Sequence, residues 1–267
     1  MAVTLACLVG WSGAPAFAES EPAQLLTIVA PEIPGTSEPG PRGRDVETVA
    51  AVFKECGWAG DFMYLPSGRH LLAFDDLPAA DGVMTVPIGS QVEGFPTSPY
   101  IRYLNGAFYN ASRVGPIDQV EDLKGLRAVT FRNGIRNLGL AGRAHEFELL
   151  MEISNQELHS KMQLVGRIDV ILADGFVIGA VAERIRSERR SGKTWPLEGD
   201  SFVFSPIFEP TPYKMVFRKP GLAMQFDQCL GRVKARGELQ EIDKKHIDRY
   251  RGLLQYRAEG GPERDPD

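Results

Sequence analysis

Histidine is the side chain that most often moves protons in enzymes, and this chain contains four of them. They are His70, His145, His159 and His246. None stands at a spacing from a serine or cysteine that is typical of a nucleophile and its base, and no Gly-x-Ser-x-Gly motif is present. The sequence therefore gives no sign of nucleophilic or acid–base catalysis.

The three cysteines, Cys7, Cys56 and Cys229, do not form a metal-binding motif. They are far apart, without a Cys-x-x-Cys spacing or a histidine at a metal-ligand spacing. We therefore expect no metal and no cofactor. Cys56 and Cys229 could form a disulfide in an oxidising compartment, or both could be buried thiols, and the sequence leaves the two alternatives open.

The composition indicates a folded chain that does not bind nucleic acid. Its length of 267 residues fits one large domain or two modest lobes. Of these residues, 43% are hydrophobic and 24% are charged, values that are usual for folded proteins. Lys and Arg number 30 against 35 Asp and Glu, a net charge of -5. A chain with this balance has no general basic field to attract a polyphosphate.

The first 18 residues are typical of a secretory leader. Residues 1–18 contain no charged side chain and end in Ala-Phe-Ala, a small-x-small cleavage pattern, so we expect cleavage after Ala18. The apolar stretch is too short to cross a bilayer. Two alternatives are a buried first strand and lipid attachment at Cys7, although Thr4 stands where a lipobox has Leu.

Apolar runs and turn residues alternate along the rest of the chain as they do in α/β proteins. A strand is predicted at residues 25–30, followed by a loop and a helix at residues 46–56 with Asp45 as its N-cap. A Gly-rich turn at residues 134–142 leads into another helix, and residues 257–267 are predicted to be a disordered tail. Further strands are predicted at residues 61–65, 82–86, 126–131, 168–172, 202–204 and 214–217, and further helices at residues 70–77, 177–187, 224–234 and 242–250.

Six short segments, taken in their order along the chain, carry a family resemblance. They are residues 28–34, 43–46, 69–82, 95–100, 121–125 with Gly134, and 166–169 with Asp174. Together they resemble the periplasmic solute-binding proteins of family 3, the polar amino-acid receptors of ABC transporters. The resemblance extends over nearly all of the chain after the predicted leader.

The resemblance implies an α/β fold of the type II periplasmic-binding-protein kind. Each of its two lobes would be a mixed sheet flanked by helices, with two crossover strands between the lobes. Lobe one is expected at residues 19–113 and 206–256, and lobe two at residues 114–205. The ligand would lie in the cleft between them, and hinge closure would bring both lobes onto it.

The resemblance also points to the residues that would hold an amino acid. In such receptors an arginine of lobe one binds the α-carboxylate and an aspartate of lobe two accepts the α-ammonium. The aspartate position falls on Asp174, but the arginine position falls on Ser90, which cannot form a charged pair. Thr85 stands where the family places a hydroxyl or backbone contact, and it could equally be structural.

Another arginine could replace the one missing at Ser90, and the candidates are Arg69, Arg132 and Arg136. Arg136 follows the loop where the family holds a carboxylate on backbone N–H groups, although it could also be a solvated surface residue. Glu32 follows the first strand and would face the cleft. For Asp174 the alternative role is to cap the turn after its strand.

We therefore expect a periplasmic, non-enzymatic and monomeric protein that captures a small polar or charged solute. The solute would be amino-acid-like, or an organic anion or amine, and would be passed to an ABC permease in the inner membrane. One alternative is an enzyme on the same scaffold, similar to the cyclohexadienyl dehydratases. Another alternative is a periplasmic sensing or accessory module that takes no part in transport.

Overall fold

The computed structural model describes residues 23–190, 202–250 and 255–256, which form two β-sheets with helices packed against them. The predicted leader and tail lie outside the described residues. The strands are β1 (Gln24–Glu32), β2 (Trp58–Pro66), β3 (Gly82–Pro87), β4 (Phe95–Pro96), β5 (Ile101–Tyr103), β6 (Asn105–Asn110), β7 (Arg127–Thr130), β8 (Leu149–Glu152), β9 (Val170–Asp174), β10 (Phe202–Ser205), β11 (Thr211–Phe217) and β12 (Gln255–Tyr256). The helices are α1 (Arg44–Glu55), α2 (Arg69–Asp76), α3 (Gly134–Asn137), α4 (Gln156–Leu164), α5 (Gly175–Arg190), α6 (Pro220–Ala235) and α7 (Glu238–Tyr250).

The first sheet has the strand order β2-β1-β3-β11-β4, and β5 also pairs with β11. β1 runs parallel to both of its neighbours, whereas β11 runs antiparallel to β3, β4 and β5. β1 is buried through most of its length because helices cover both faces of the sheet. This sheet and its helices are called the first lobe below.

The second sheet has the order β12-β10-β6-β9-β7-β8. β7 is parallel to β8 and β9, and β6 is antiparallel to β9 and β10. Apolar side chains fill both faces of this sheet, in one cluster around Leu172 and another around Ile171. This sheet with α3, α4 and α5 is called the second lobe.

Among the described residues, no helix combines the length and the apolar character needed to span a membrane.

The sheets divide the chain at different positions from the predicted lobe boundaries. The chain leaves the first sheet after Tyr103 and enters the second at Asn105, well before the predicted boundary at residue 113. It returns between Ser205 and Thr211, close to the predicted position. β12 then pairs with β10 in the second sheet, although residues 206–256 were predicted to belong wholly to lobe one.

Most of the predicted strands and helices are present, with ends that differ by a few residues. β6, β8 and α4 were not predicted, and β6 is a central strand of the second sheet. β6 begins with Asn-Gly, a pair that is typical of turns, which hides it in the sequence. Its side chains are buried on both faces because Ala107 and Tyr109 belong to one apolar cluster and Phe108 belongs to the other.

Helix α1 begins two residues earlier than predicted, and this changes the role of Asp45. Gly43 precedes the helix with φ 111°, and Asp45 lies in the first helical turn instead of at the N-cap. The Asp45 side chain makes no capping hydrogen bond, because its two oxygens contact Arg44 and Tyr103. The predicted cap is therefore wrong, and the carboxylate belongs to a buried polar cluster.

A disulfide joins Cys56, at the end of α1, to Cys229 in α6, with a Cα–Cα distance of 5.7 Å. The two cysteines are 173 residues apart, so the bond encloses most of the first lobe and all of the second except β12. A link that closes such a long loop restricts the unfolded chain strongly and stabilises the folded state by about 2–5 kcal/mol. Of the two alternatives left open above, the structure has the disulfide.

We predict that replacing both Cys56 and Cys229 with Ser lowers the melting temperature by about 5–15 °C, because the unfolded chain regains its freedom. Thermal unfolding followed by circular dichroism, with and without reductant, measures the change. Reductant should destabilise the wild-type protein by a similar amount and leave the double variant unaffected. Equal melting temperatures for all four samples would show that the disulfide does not contribute to stability.

His159 in α4 is buried at 1% exposure, and its Nε2 lies 2.8 Å from the carbonyl oxygen of Ile153. Burial lowers the pKa of His159 to about 4, although the Ile153 carbonyl acts in the opposite direction. The unfolded chain, in which histidine titrates near 6.5, therefore takes up a proton before the folded chain does as the pH falls. His159 consequently makes the folded protein less stable as the pH falls through 6.5.

We predict that His159→Gln removes about 2 kcal/mol of the stability change between pH 7 and pH 5. Glutamine does not titrate, and its amide group can still bond to the Ile153 carbonyl. Urea unfolding of both proteins at the two pH values measures the difference. Asp45, whose raised pKa acts in the opposite direction, is present in both proteins and cancels. Parallel pH curves for the two proteins would contradict the prediction.

Candidate functional site

A cavity of about 530 Å³, including the space open to solvent, lies between the two lobes. Both lobes contribute to its wall. The first-lobe lining includes Gly68, His70, Thr85, Tyr103 and Tyr213. The second-lobe lining includes Asn105, Arg132, Asn137, Gln156 and Asp174. A site built in this way is complete only when the lobes lie together.

His70 forms part of the first-lobe wall, one residue after the start of α2, and is 3% exposed. The backbone N–H of Gly68 donates to its Nδ1 at 3.1 Å, so the neutral ring carries its proton on Nε2. Burial lowers the pKa of His70 to about 4, and the carbonyls of Thr85 and Met84 offset only part of this effect. Nε2 makes no hydrogen bond of normal geometry within the protein. His70 is therefore an uncharged, buried side chain of the cavity wall, with the Thr85 and Met84 carbonyls beside its ring.

Thr85 lies where β3 bulges beside the cavity. Val83 pairs with Val216 of β11, and Val86 pairs with Lys214. Two β3 residues, Met84 and Thr85, therefore lie opposite one β11 residue, Met215, which makes a β-bulge. Thr85 adopts φ 56°, which is costly for a β-branched residue. Its N–H and its hydroxyl oxygen lie 3.1 and 3.0 Å from the Tyr100 hydroxyl. Thr85 lines the cavity, but both of its polar groups already have a protein partner.

Arg132 crosses the cavity from the second lobe to the first. It is exposed, and within the described part of the chain it makes no ion pair or hydrogen bond through its side chain. A Cβ at Gly68 would lie 2.6 Å from Cδ of Arg132, so the arginine stem rests directly on the glycine backbone. Gly68 also has φ 81°, a backbone conformation that favours glycine.

Asp174 ends β9 and is 4% exposed at the opposite wall. One of its carboxylate oxygens accepts the N–H groups of Phe176 and Val177 at 2.9 and 3.2 Å, which caps α5. The other accepts the Leu104 N–H at 2.7 Å. Burial raises the pKa of Asp174, whereas nearby Arg44 and the three N–H groups act to lower it. Asp174 is thus a helix cap and a cavity residue at the same time.

Asn105 stands directly opposite Asp174 in the pairing of β6 with β9. Its side-chain nitrogen donates to the Thr211 hydroxyl at 3.2 Å, but its side-chain oxygen has no partner. The residue is 1% exposed. A buried acceptor without a partner is costly for the folded state.

A buried charge cluster lies behind the cavity, where the lobes meet. Arg44, at 2% exposure, has Nε 3.2 Å from Asp45 Oδ1, and the Tyr103 hydroxyl donates to Asp45 Oδ2 at 2.5 Å. The guanidinium lies over the rings of Tyr103 and Phe176, with its Cζ 5.2 and 4.7 Å from their centroids. Burial opposes the charge of Arg44, but Asp45 and Asp174 outweigh it and raise its pKa. Burial raises the pKa of Asp45 to about 6.

The structure brings two of the six predicted site residues, Asp174 and Thr85, into the cavity wall. The other four do not line it. Ser90 lies in a turn after β3, with its N–H bonded to the Pro87 carbonyl. Glu32 and Arg69 are exposed, at the end of β1 and the start of α2.

Arg136 is also exposed and outside the cavity wall, and the anion site predicted around it is already filled. The carboxylate of Glu152, at the end of β8, accepts the N–H groups of Asn133 and Ile135, both at 2.9 Å. A protein carboxylate thus occupies the N–H groups that were expected to hold the ligand. The prediction for this loop is therefore wrong, and the reason is a strand that the sequence did not reveal.

Sequence reasoning missed His70 and Asn105 as site residues, and it named Arg132 only as one of three possible arginines. His70 follows the predicted Arg69 by one residue, and a helix turns its side chains by about 100° per residue. The apolar residues of α2 could have shown which of the two faces inward. No group of three or more His, Cys, Asp or Glu side chains in the described residues is arranged to hold a metal ion.

Comparison with known proteins gives matches in structure but not in sequence. No protein-family model matches the chain, and no curated protein matches it in sequence. A histidine kinase sensor domain with similarity to periplasmic binding proteins superposes with a TM-score of 0.66 at 16% identity, over 85% of this chain and 98% of the other. An ancestral arginine-binding protein bound to arginine gives 0.64 at 19% identity, over 85% and 100%.

The GluR0 ligand-binding core from Nostoc punctiforme in complex with L-glutamate gives a TM-score of 0.62 at 16% identity, over 84% of this chain and 99% of the other. At these identities the likeness establishes the fold. The chain has the two-lobed fold of the type II periplasmic binding proteins, which is the fold of the family 3 solute-binding proteins.

Proposed function

We propose that this protein is an extracytoplasmic solute-binding protein that captures a small polar or charged solute between its lobes. The observation that carries the proposal is the cavity between the lobes, whose wall comes from both lobes and contains many polar side chains. They include His70, Thr85, Tyr103, Asn105, Arg132, Asn137, Gln156, Asp174 and Tyr213. A small polar solute can meet hydrogen-bonding groups of both lobes there, as a solute-binding cleft requires.

The disulfide supports a location outside the cytoplasm. Such bonds persist in oxidising compartments such as the bacterial periplasm and are rare in the cytosol. Residues 1–18 would direct the chain there as a cleaved leader. In this setting the protein would act as a monomer whose closed form delivers the solute to an ABC permease in the inner membrane.

Sensing is a second candidate function, supported by the similarity to a histidine kinase sensor domain. Both functions need the same binding step and differ in what the closed protein contacts. Deleting the gene in its own bacterium separates them, because loss of uptake of the bound solute indicates transport. Unchanged uptake with a lost transcriptional response to the solute indicates sensing.

We predict that at least one solute in a broad panel raises the melting temperature of the purified protein. At 100 times its Kd, a ligand stabilises the folded state by about 2.7 kcal/mol, or about 5–10 °C for a chain of this size. The panel contains amino acids, dicarboxylates, amines and sugars, and thermal-shift measurements followed by titration calorimetry detect the binding. Absence of a shift throughout the panel would contradict a solute-binding function. Steady turnover of a prephenate-like acid would instead indicate a dehydratase.

We predict that Asp174→Asn weakens the binding of amino-bearing solutes at least tenfold, because the amide carries no charge to pair with an ammonium group. The amide oxygen can still accept the Phe176 and Val177 N–H groups, but the amide nitrogen would face the Leu104 N–H, so the folded state should lose about 1–3 kcal/mol. Titration calorimetry and urea unfolding measure the two effects separately. Asp169→Asn, which changes a carboxylate paired with Arg127 outside the cavity, is the control. Unchanged affinity in Asp174→Asn would remove Asp174 from the binding site.

A further inference from the structure

His70 connects two segments of the first lobe that form the cavity wall. The loop before α2 lies at one edge of its ring, where the buried Gly68 N–H donates to Nδ1 at 3.1 Å. The carbonyls of Met84 and Thr85, in β3, lie beside the same ring. Gly68 and Thr85 both line the cavity. One side chain therefore contacts backbone groups from two separate parts of the wall.

The bulge of β3 is not bonded to the strand residue opposite it. Met215 of β11 faces Met84 and Thr85 across the sheet. Its N–H donates to the Thr97 hydroxyl at 3.1 Å, and its carbonyl accepts the Thr97 N–H at 2.9 Å. Met84 and Thr85 are both buried, and buried carbonyls need a donor from another part of the protein.

The His70 ring has one proton to offer, and it lies on Nε2 because Nδ1 accepts the Gly68 N–H. The side chain is 3% exposed and Nε2 itself is buried, so neither water nor a solute competes for this proton. Burial lowers the pKa of His70 to about 4 and outweighs the Thr85 and Met84 carbonyls, which act to raise it. The neutral ring therefore accepts from the loop and donates towards the bulge.

Thr85 needs support from its surroundings because its backbone is strained. A φ of 56° is costly for a β-branched residue, and such a conformation persists only where neighbouring groups fix it. The Tyr100 hydroxyl lies 3.1 Å from the Thr85 N–H and 3.0 Å from its hydroxyl oxygen. His70 acts on the carbonyl of the same residue. The bulge is thus fixed from two sides.

We propose that His70 is a positioning residue, which holds the loop at Gly68 against the bulge at Thr85 and so sets the shape of the first-lobe wall. This inference rests on the proposed solute-binding function and assigns a further role within its site. His70 acts through the backbone that it holds, without touching the solute. Since Arg132 of the second lobe rests on Gly68, the same link also fixes the surface that the second lobe meets.

Amide hydrogen exchange followed by NMR tests the two links separately. His70→Asn keeps an oxygen near the position of Nδ1 but has no donor at Nε2, whereas His70→Gln places an N–H group near Nε2 but has no acceptor at Nδ1. We expect Gly68 to exchange about tenfold faster in His70→Gln and to stay within about threefold of the wild type in His70→Asn. Thr85 should show the reverse, and His70→Leu should accelerate both.

Val129, in the interior of the second sheet, gives the reference for overall stability, and the other rates are read relative to it. Equal acceleration at Gly68 and Thr85 in both polar variants, or wild-type rates in His70→Leu, would overturn the assignment. If a variant does not fold, the ring nitrogen shifts of His70 in the wild-type protein at pH 7.5 provide a second measurement. They should show a neutral ring protonated on Nε2, and protonation on Nδ1 would contradict the proposal.

Solute affinity measures the consequence for the site. L-arginine, L-glutamate, succinate, putrescine and D-glucose are titrated into the wild type and His70→Leu by calorimetry. A probe that binds the wild type should bind His70→Leu about tenfold more weakly, because the wall is no longer preorganised. His159→Leu removes another buried histidine, outside the cavity wall, and should keep the wild-type affinity.

The outcomes separate this inference from the proposed function. An equal loss of affinity in His70→Leu and His159→Leu would show that His70 acts only through overall stability. Unchanged affinity in His70→Leu would show that it does not shape the site. If none of the five probes binds the wild-type protein, the solute-binding function fails, and the exchange pattern at Gly68 and Thr85 still decides whether His70 fixes the wall.

Discussion

The whole arrangement depends on keeping one arginine charged in the place where the two lobes meet. Arg44 is almost fully buried, and removing such an ion from water costs several kcal/mol unless partners surround it. The partners come from different parts of the chain: Asp45 from α1, Tyr103 from the last strand before the crossing, and Phe176 from α5 of the second lobe. Removing Asp45 would take the nearest carboxylate away from this buried charge, at a cost of about 3–5 kcal/mol. The cluster therefore fixes the back wall of the cleft.

Two other contacts between the lobes differ in how easily they can change. At Gly35 the first lobe packs so closely on α5 that a Cβ there would lie 2.6 Å from the Ala180 side chain. Glu38 of the same loop also pairs with Arg184 on α5. Arg132 on Gly68 is an exposed side chain with many rotamers, and moving it costs little. A solute can therefore displace Arg132 without breaking the packing at Gly35, which suits a hinge that closes on a bound molecule.

The sequence predicted the fold better than the site, and two particular errors show why. The anion site at Arg136 was wrong because Glu152 occupies its N–H groups, and Glu152 belongs to β8, a half-exposed edge strand without a clear apolar alternation. The second error was to predict Arg69 rather than its neighbour His70 as a cavity residue. The apolar pattern of α2 shows that a helix exists, but a shift of one residue in assigning its buried side selects an exposed residue instead of a buried one.

The two predicted residues that line the cavity, Asp174 and Thr85, are placed there by a common physical cause. Asp174 stands at the junction between a buried strand and a helix, where a carboxylate caps the helix and also reaches the cleft. Thr85 lies in a strand whose residues are buried on both faces. Both positions are set by the strand pattern along the chain. The polar atoms of His70 and Asn105 that lack partners depend on contacts between distant segments, which a single sequence does not show.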